Sequence, residues 1–351
     1  MAGRPNNMGF AIRSGGLLTA KALLRTALMA AVLMGAEVSW SADELKLVKK
    51  IDLPGVNGRI DHMAIDVESD RLFVAALGNN SVEVVDLTTG SVIKSLTGFA
   101  EPQGVLLLRE THELLVTNGG NCYIDVYDAR SLQKIRAIEI KEDNDNIRYD
   151  SNAKLAYAGC GSGNEGALAI LDSTHGSKVA EFALSGHPES FQLEQAGTRI
   201  FVNVPTSGKI EVIDRRQGRV TESWQMNAKK NYPMALDEAH HRLFVGTRDP
   251  AKLFVLDTET GKTVASLDSV GDADEIFYVS ASRKIYVSGG EGFVAIFQQQ
   301  DADRYSLLTR VPTATGARTS LYIHERNQLL VAAPKTSAMP AHILVYALTP
   351  L

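Results

Sequence analysis

The sequence has few cysteines, no excess of basic residues and no long apolar run, and each absence excludes a class of protein. Two cysteines in 351 residues are too few for a disulfide-dense secreted scaffold. A formal net charge of −5 argues against a general nucleic-acid-binding protein, so we expect no nucleic-acid partner. The apolar run over residues 27–36 is shorter than the roughly 20 residues that a membrane-spanning helix needs.

Acidic residues are missing from the first 36 positions. Basic residues precede the apolar run there, at Arg4, Arg13, Lys21 and Arg25. This order is typical of a secretory signal peptide. The small residues Ser39 and Ser41 predict cleavage after Ser41, with Ala36 as the alternative position.

Cleavage after Ser41 divides the chain into a signal peptide, residues 1–41, and a single domain, residues 42–351. The formal net charge of the domain is then −8, because four basic residues and one acidic residue are removed. We expect the domain to be periplasmic or secreted, with no transmembrane anchor after cleavage.

Recognised catalytic motifs are also missing. The sequence contains no Gly-x-Ser-x-Gly, His-Glu-x-x-His, Walker-type or Cys-x-x-Cys-His motif. The Gly-rich segment 159–163 joins two predicted strands and does not open a helix, so it does not predict a phosphate loop. The sequence therefore favours a protein without catalytic activity, although an enzyme stays open.

What the sequence does contain is a six-residue apolar motif that returns seven times. Its copies begin at intervals of 42, 41, 45, 43, 42 and 44 residues, at Arg71, Glu113, Lys154, Arg199, Arg242, Lys284 and Gln328. A near-constant period of this size indicates a repeat architecture. Each copy is short and rich in aromatic and β-branched residues, and it therefore predicts a buried strand.

Each repeat contains four predicted strands, a to d, which in the first repeat cover residues 62–67, 71–77, 82–87 and 92–96. In four repeats the c strand ends in an aspartate with a glycine four positions later, namely Asp86 and Gly90, Asp172 and Gly176, Asp214 and Gly218, and Asp257 and Gly261. Aspartate accepts hydrogen bonds from turn amides and glycine adopts a positive φ, so the pair specifies a tight c–d hairpin. These aspartates are therefore interpreted as structural.

Seven repeats of four short antiparallel strands predict an all-β fold, a seven-bladed β-propeller. The seventh repeat stops after its c strand, residues 343–346, which leaves its blade one strand short. The N-terminal segment 45–53 has the pattern of a d strand. We expect this segment to complete the last blade and close the ring, because an unpaired strand edge is unfavourable.

Two features of the repeat point to a known family. The first is the b-strand motif, as in Leu-Val-Thr-Asn at 115–118 and Tyr-Val-Ser-Gly at 286–289. The second is the turn after the c strand, which begins with Asp and ends with Thr-Gly, as at 86–90 and 257–261. Over about residues 45–347 the chain resembles the YVTN-type, YncE-like repeats of exported bacterial β-propellers. The resemblance implies the propeller fold and export. It carries over no catalytic residue, since related propellers include lactonases, the heavy chain of quinoprotein amine dehydrogenases and the haem d1 domain of nitrite reductases.

The segments that lead into the a strands differ from repeat to repeat, whereas the b strands do not. A structural requirement should repeat in every blade, but a ligand contacted from seven directions need not. We therefore predict a ligand site at the channel mouth that is formed by the d–a and b–c loops, with Arg59, Asp61, His62, Gln103, Asn146, Arg148, His187, Glu189, Tyr232, Asp274, Glu275 and Arg318. Glu101 and Asp145 belong to the same predicted ring of carboxylates.

This set of residues allows more than one ligand. The guanidinium groups of Arg59, Arg148 and Arg318 would hold a carboxylate or phosphate, which favours a small polar or anionic ligand, with another envelope protein as the alternative partner. The charges could instead pair with one another. No cofactor is indicated except a divalent metal.

The metal has two candidate sites. Zn²⁺ would be held by two histidines and two carboxylates, His62, His187, Asp61 and Glu189. The oxygens of Asn146, Glu189 and Asp274 would instead suit Ca²⁺ or Mg²⁺.

Three functions follow from these residues. The preferred hypothesis is an exported, non-catalytic binding module. The alternative is a lactonase-type or metal-assisted hydrolase, in which His62, His187 or Glu189 acts as base and Arg59 or Arg318 stabilises the oxyanion. A propeller subunit of a redox system is the third. Cys122 and Cys160 either form a disulfide or remain inert thiols.

Overall fold

The computed structural model describes residues 44–349, so the predicted signal peptide lies outside the described residues. Strands make up most of this part of the chain, and its only other regular elements are three short 3₁₀ turns. No helix in the described range is long and apolar enough to cross a membrane.

Residues 45–348 contain 28 strands, which form seven sheets of four. The strands of blades 1 to 3 are β2 (Met63–Asp66), β3 (Arg71–Ala76), β4 (Ser81–Asp86), β5 (Ser91–Thr97), β6 (Pro102–Leu108), β7 (Glu113–Asn118), β8 (Tyr123–Asp128), β9 (Lys134–Glu139), β10 (Ile147–Asp150), β11 (Leu155–Cys160), β12 (Ala167–Asp172) and β13 (Ser177–Ala183). Those of blades 4 to 6 are β14 (Phe191–Leu193), β15 (Arg199–Val204), β16 (Lys209–Asp214), β17 (Arg219–Gln225), β18 (Lys229–Asp237), β19 (Arg242–Asp249), β20 (Ala251–Asp257), β21 (Thr263–Asp268), β22 (Ala273–Val279), β23 (Lys284–Gly289), β24 (Phe293–Gln299) and β25 (Tyr305–Pro312). Blade 7 contains β26 (Ser320–Ile323), β27 (Gln328–Ala333), β28 (His342–Leu348) and the N-terminal β1 (Leu45–Asp52).

The seventh blade closes the ring as expected. Its strand order is β1-β28-β27-β26, and β1 pairs antiparallel with β28 from Leu45 opposite Leu348 to Asp52 opposite His342. The other six blades follow chain order. The predicted fold, a seven-bladed β-propeller of four-stranded antiparallel blades closed by an N-terminal strand, is therefore confirmed.

The c–d hairpins have the predicted chemistry. In blade 1, Oδ1 of Asp86 accepts a hydrogen bond from the amide of Thr89 at 2.9 Å, and Gly90 has a φ of +72°. In blade 2 the position of the glycine is held by Leu132, which adopts the same left-handed region with a φ of +60°. The aspartate alone therefore suffices to specify the turn in blade 2, since the amide of Ser131 still donates to Asp128.

The central residues of the b strands are mainly apolar because both faces of each blade are covered by its neighbours. Successive side chains of a strand point to opposite faces. Leu72 packs in a cluster with Leu330 and Ala332 of blade 7, while the next residue, Phe73, packs with Leu114 and Val116 of blade 2. The apolar residues of the motif therefore recur because each blade packs against two neighbouring blades.

The first residue of the motif links neighbouring blades through charge. Nη1 of Arg242 lies 2.8 Å from Oδ2 of Asp257 in its own blade, and Nη2 lies 2.6 Å from Oδ1 of Asp303 in the next blade. Arg199 reaches Glu259 of the next blade in the same way, at 2.6 Å. These contacts explain why a cation begins five of the seven motif copies.

Replacement of Arg242 by alanine should lower the free energy of unfolding by about 2 kcal/mol, or roughly 3 °C in Tm for a domain of this size. The substitution removes charged hydrogen bonds that join blades 5 and 6, although the exposed Asp303 is partly screened by water. The control is Arg304→Ala, because Arg304 is 74% exposed and pairs only with Asp301 on the same hairpin. Calorimetry that gives equal Tm values for the two variants would contradict the role of Arg242.

Both cysteines are free thiols. Cys160 is fully buried at the end of β11, and burial raises the pKa of its thiol, whereas Cys122 is partly exposed. We expect Ellman's reagent to modify Cys122 alone in the native protein and both residues after denaturation. Denatured, unreduced protein without reactive thiols would show that the two cysteines form a disulfide.

Candidate functional site

Segments from several blades meet around a cavity of about 390 Å³, the mouth cavity. It is lined by Arg59, Leu77, Glu101, Gln103, Asp143, Asp145, His187, Glu189, Tyr232, Arg248, Asp274 and Arg318. All of these except Leu77 and Arg248 precede or lie in the first strand of a blade. The segments that lack sequence similarity between the repeats therefore converge on one space.

A much smaller space, the neck, shares residues with the mouth cavity and has a volume of about 10 Å³. It is lined by Arg59, Asp61, His62, Asp145, Asn146, Glu189, Ser190, Tyr232 and Asp274. His62 also lines a third cavity of about 370 Å³, the inner cavity, together with Arg148 and Glu275. A ring of charged side chains therefore separates two larger spaces.

The structure distributes the predicted site residues over these three spaces. Those at the mouth cavity are Arg59, Gln103, His187, Glu189, Tyr232, Asp274 and Arg318. Asp61, His62 and Asn146 line the neck, whereas Arg148 and Glu275 line the inner cavity. Arg148 donates to the carbonyl of Ile147 and lies over the ring of Phe191 at 5.8 Å. It is therefore not among the residues that would contact a ligand at the mouth.

Two charged residues that line the mouth cavity, Arg248 and Asp143, are missing from the predicted set, as is Asp272, which pairs with Arg248 and Arg318. Arg248 extends from the end of β19, and its guanidinium lies 4.0 Å from the ring centre of Tyr232. The sequence does single out Arg248, because it is the only charged residue at the position directly after the six-residue motif. Leu, Gly, Cys and Pro occupy that position in the other repeats.

The arginines of the mouth cavity are already paired with carboxylates. Nη2 of Arg59 lies 2.6 Å from Oδ2 of Asp61, and Nη2 of Arg318 lies 3.0 Å from Oδ2 of Asp272. Arg248 pairs with Asp272 at 3.2 Å and also with Asp274. The expectation that mixed charges would pair with one another therefore describes the arginines well.

His62 lies between carboxylates on both sides of its ring. Nε2 is 3.5 Å from Oδ1 of Asp61 and 3.7 Å from Oδ1 of Asp145, and Nδ1 is 3.6 Å from Oε1 of Glu275. Burial disfavours the imidazolium, but the negative charges of Asp61, Asp145 and Glu275 outweigh burial and raise the pKa of His62 to about 9. In the metal-free protein His62 is therefore a cation at neutral pH.

Several carboxyl groups around the neck are crowded. Burial and the charges of Asp145 and Asp274 raise the pKa of Glu189 well above its usual value. Burial, opposed by Arg248, raises the pKa of Asp274 to about 6, and burial, opposed by His62, raises that of Glu275 to about 7. For Asp145 the proximity of His62 outweighs burial and lowers the pKa to about 2. Burial is the largest cause of each raised pKa, so Glu189, Asp274 and Glu275 hold their protons more strongly than exposed carboxyl groups do.

The four metal candidates predicted from the sequence do not form one site. Two groups have ligand atoms within 4.8 Å of one another, one of Asp61, His62 and Asp145 and the other of Asp145, His187 and Glu189. Asp145 belongs to both and was not among the four. In the second group, Nδ1 of His187 lies 2.6 Å from the carbonyl oxygen of Gly161.

Fold and site together define a seven-bladed β-propeller with a charged channel mouth, and comparisons with solved structures agree with that class. The chain is similar to a chain of hydrazine synthase from Kuenenia stuttgartiensis, with a TM-score of 0.72 and 18% identity over 84% of this chain and 98% of that one. It is also similar to a chain of the mitotic checkpoint complex, with a TM-score of 0.71 and 14% identity over 98% of this chain and 100% of that one. At these identities the likeness shows the fold alone. No protein-family model and no curated protein matches the sequence.

Proposed function

We propose that the protein is an exported, non-catalytic binding module of the cell envelope that takes a small, positively charged ligand in the mouth cavity. The single observation that carries this proposal is the balance of charge there. Five carboxylates and three arginines line the cavity. Each arginine is paired, whereas four of the carboxylates form no ion pair with arginine or lysine within residues 44–349, namely Glu101, Asp143, Asp145 and Glu189.

This balance of carboxyl groups and arginines favours a cationic ligand over the anionic ligand that the arginines alone suggest. An anion would have to break existing ion pairs, while a cation would meet carboxyl groups that no arginine or lysine neutralises. Of these four groups, Asp145 and Asp143 lie near histidines only, at 3.7 Å from His62 and 3.4 Å from His187. One donor, Nε of Arg318, is buried without an acceptor among the described residues. A single donor does not offset these four carboxyl groups, so an amine or guanidinium group is the chemistry that fits.

The mouth cavity is a better candidate than the larger groove between the hairpins of blades 4 and 5. That groove has a volume of about 600 Å³, and its only charged side chains are Lys229, Lys230 and Asp249. Binding sites are marked by several polar groups that converge on a concave space. Eight charged side chains and His187 line the mouth cavity, whereas three charged side chains line the groove.

The hydrolase alternative receives no support from the position of His62. His62 lines the neck and the inner cavity but not the mouth cavity, so it is not placed to activate water for a ligand held there. His187 and Glu189 do line the mouth cavity. The absence of a nucleophile motif leaves binding as the simpler function for them.

The ligand class is tested by thermal-shift measurements on the mature protein, with small organic cations such as agmatine beside small anions such as citrate. We expect agmatine to raise Tm in a concentration-dependent manner, because a ligand that binds only the folded state stabilises it. Stabilisation by citrate and not by agmatine would refute the proposed ligand class.

Export is tested separately, by expression of the full chain and mass spectrometry of the product. We expect the mature protein to begin at Ala42, which follows the predicted cleavage site. Protein that retains residues 1–41 would contradict export by a cleaved signal. The binding proposal does not depend on this result.

A further inference from the structure

Four oxygen atoms around the neck are buried and accept no hydrogen bond from any described residue. They are Oδ1 and Oδ2 of Asp61, Oδ1 of Asp145 and Oδ1 of Asn146. Asp61 is 1% exposed, Asn146 3% and Asp145 5%. Arg59 lies 2.6 Å from Oδ2 of Asp61 as an ion pair without hydrogen-bond geometry, and Oδ1 of Asp61 has no hydrogen-bond donor within residues 44–349. Buried oxygens without a partner are costly, and their concentration at one place calls for a ligand.

The distances from His62 are those of groups that share a metal ion. Nε2 lies 3.5 Å from Oδ1 of Asp61 and 3.7 Å from Oδ1 of Asp145. Neither contact forms a hydrogen bond. Zn²⁺ held tetrahedrally at its usual bond lengths separates its nitrogen and oxygen ligands by about 3.4 Å. The two unpartnered oxygens and the imidazole nitrogen are therefore within a few tenths of an ångström of that separation.

The neck has room for one atom at this point. Its volume is about 10 Å³, and the residues that line it include all three groups as well as Asn146. A space of this size holds a single water molecule or ion. Two unpartnered oxygens remain at the neck, Oδ2 of Asp61 and Oδ1 of Asn146. Arg59 lies 2.6 Å from Oδ2 of Asp61, so Oδ1 of Asn146 is the ligand atom available for a fourth coordination position.

Glu275 completes the arrangement from the other side of the imidazole. Its Oε1 lies 3.6 Å from Nδ1 of His62. Histidine ligands of metals usually donate their second N–H to a carboxylate or carbonyl, which fixes the ring and the tautomer. Glu275 is placed to do this while Nε2 faces the neck.

We propose that the neck binds one divalent transition-metal ion through Nε2 of His62, Oδ1 of Asp61, Oδ1 of Asp145 and Oδ1 of Asn146. One imidazole and three oxygens suit Zn²⁺ best, with Mn²⁺ as the next match. The ion supplies positive charge beside the buried carboxylates of Asp61 and Asp145 and a partner for their unpartnered oxygens. This site shares Asp145 with the lining of the mouth cavity, so the organic-cation site proposed there is tested on metal-free protein to keep the two proposals separate.

The test uses mature protein that is purified without a polyhistidine tag or chelator and analysed for metals by mass spectrometry. The protein is then stripped with a chelator and titrated with Zn²⁺, Mn²⁺ and Ca²⁺. We expect one Zn²⁺ per chain, with weaker binding of Mn²⁺ and still weaker binding of Ca²⁺. Absence of a stoichiometric Zn²⁺ or Mn²⁺ site would overturn the proposal and leave an imidazolium or a water molecule in the neck.

Variants locate the site. His62→Ala and Asp61→Asn should each weaken Zn²⁺ binding more than 100-fold, and Glu275→Gln, which affects only the orientation of His62, by about 10- to 100-fold. The control is His175→Ala, because the ring of His175 is 78% exposed on a distant hairpin. Zn²⁺ affinity that changes less than threefold in His62→Ala would overturn the assignment.

A spectroscopic measurement covers the case in which a variant does not fold. X-ray absorption at the zinc edge of the unaltered protein should show one imidazole and an otherwise oxygen shell. Two imidazoles or a sulfur ligand would contradict the assignment to the neck. Agmatine binding measured on stripped protein separates failure of this proposal from failure of the proposed function.

Discussion

Deletion of residues 45–53 should abolish the cooperative thermal unfolding of the domain. The deletion removes β1, which pairs with β28 over its whole length, and so leaves blade 7 with three strands and an open edge. It also removes the buried side chains of Leu45, Ile51 and Leu53. Loss of a buried aliphatic side chain costs about 2–5 kcal/mol, so three of them approach or exceed the 5–15 kcal/mol by which a typical domain is stable.

Circular dichroism melting and size-exclusion chromatography measure this effect. The expected product is aggregated or expanded, without a cooperative transition. The control is Leu47→Ser in the mature domain, because Leu47 of β1 is 51% exposed. This variant should melt like the unaltered mature domain. A cooperative transition at an unchanged temperature in the deleted chain would show that closure by β1 does not stabilise the ring.

The second large effect is expected at the mouth cavity. A double variant, Asp143→Asn with Glu189→Gln, should weaken agmatine binding by roughly 100-fold or more, because each charged hydrogen bond contributes about 1.5–3 kcal/mol. Both substitutions keep the shape of the side chain and remove a carboxylate that has no arginine partner. Isothermal titration calorimetry on metal-free protein gives the affinities, with Glu139→Gln on the outer strand β9 as the unaffected control.

Arg318→Gln separates the cation hypothesis from the anion hypothesis. Removal of this guanidinium frees Asp272 from a 3.0 Å ion pair and adds to the negative charge of the mouth. Agmatine should then bind at least as tightly as it does to the unaltered protein. If the site instead holds an anion through its arginines, the same variant should lose citrate binding.

The fold was predictable because each blade packs against its two neighbours in the same way. Residues such as Leu72 and Phe73 must be buried against the two neighbouring blades, so their chemistry recurs with the period of the chain. Asp86 and Gly90 recur for the same reason, since each c–d hairpin needs a side-chain acceptor and a positive φ. Even ring closure was visible, because the last repeat lacks one strand and the N-terminal segment has the pattern of that strand.

The site was predictable only in outline. The starts of the a strands could be located by period, but the depth at which each side chain lies depends on the strand register. Arg148 and Glu275 were therefore assigned to the mouth, although they line the inner cavity. The charge that the site offers a ligand was hidden for a related reason, and the predicted anionic ligand stays a prediction. The pairing of Arg59 with Asp61 is local, but that of Arg318 with Asp272 joins residues 46 positions apart, and no sequence pattern shows it.

Family membership is a separate question from fold. The YVTN-type resemblance depends on strand and turn residues such as those at 115–118, which any propeller with this blade geometry could use. No family model matches, and the similar solved structures share only 14–18% identity. The resemblance therefore stays an expectation, and the charge of the mouth is what carries the proposed function.

The measurement that tests the central claim most directly is a crystal structure of the mature domain grown or soaked with agmatine and citrate together. We predict that agmatine occupies the mouth cavity, with its amine or guanidinium group within about 3 Å of the carboxylates of Asp143 and Glu189. Citrate in the mouth cavity, bound by Arg59, Arg248 or Arg318, would contradict the account. Agmatine bound only at another place on the surface would contradict it equally.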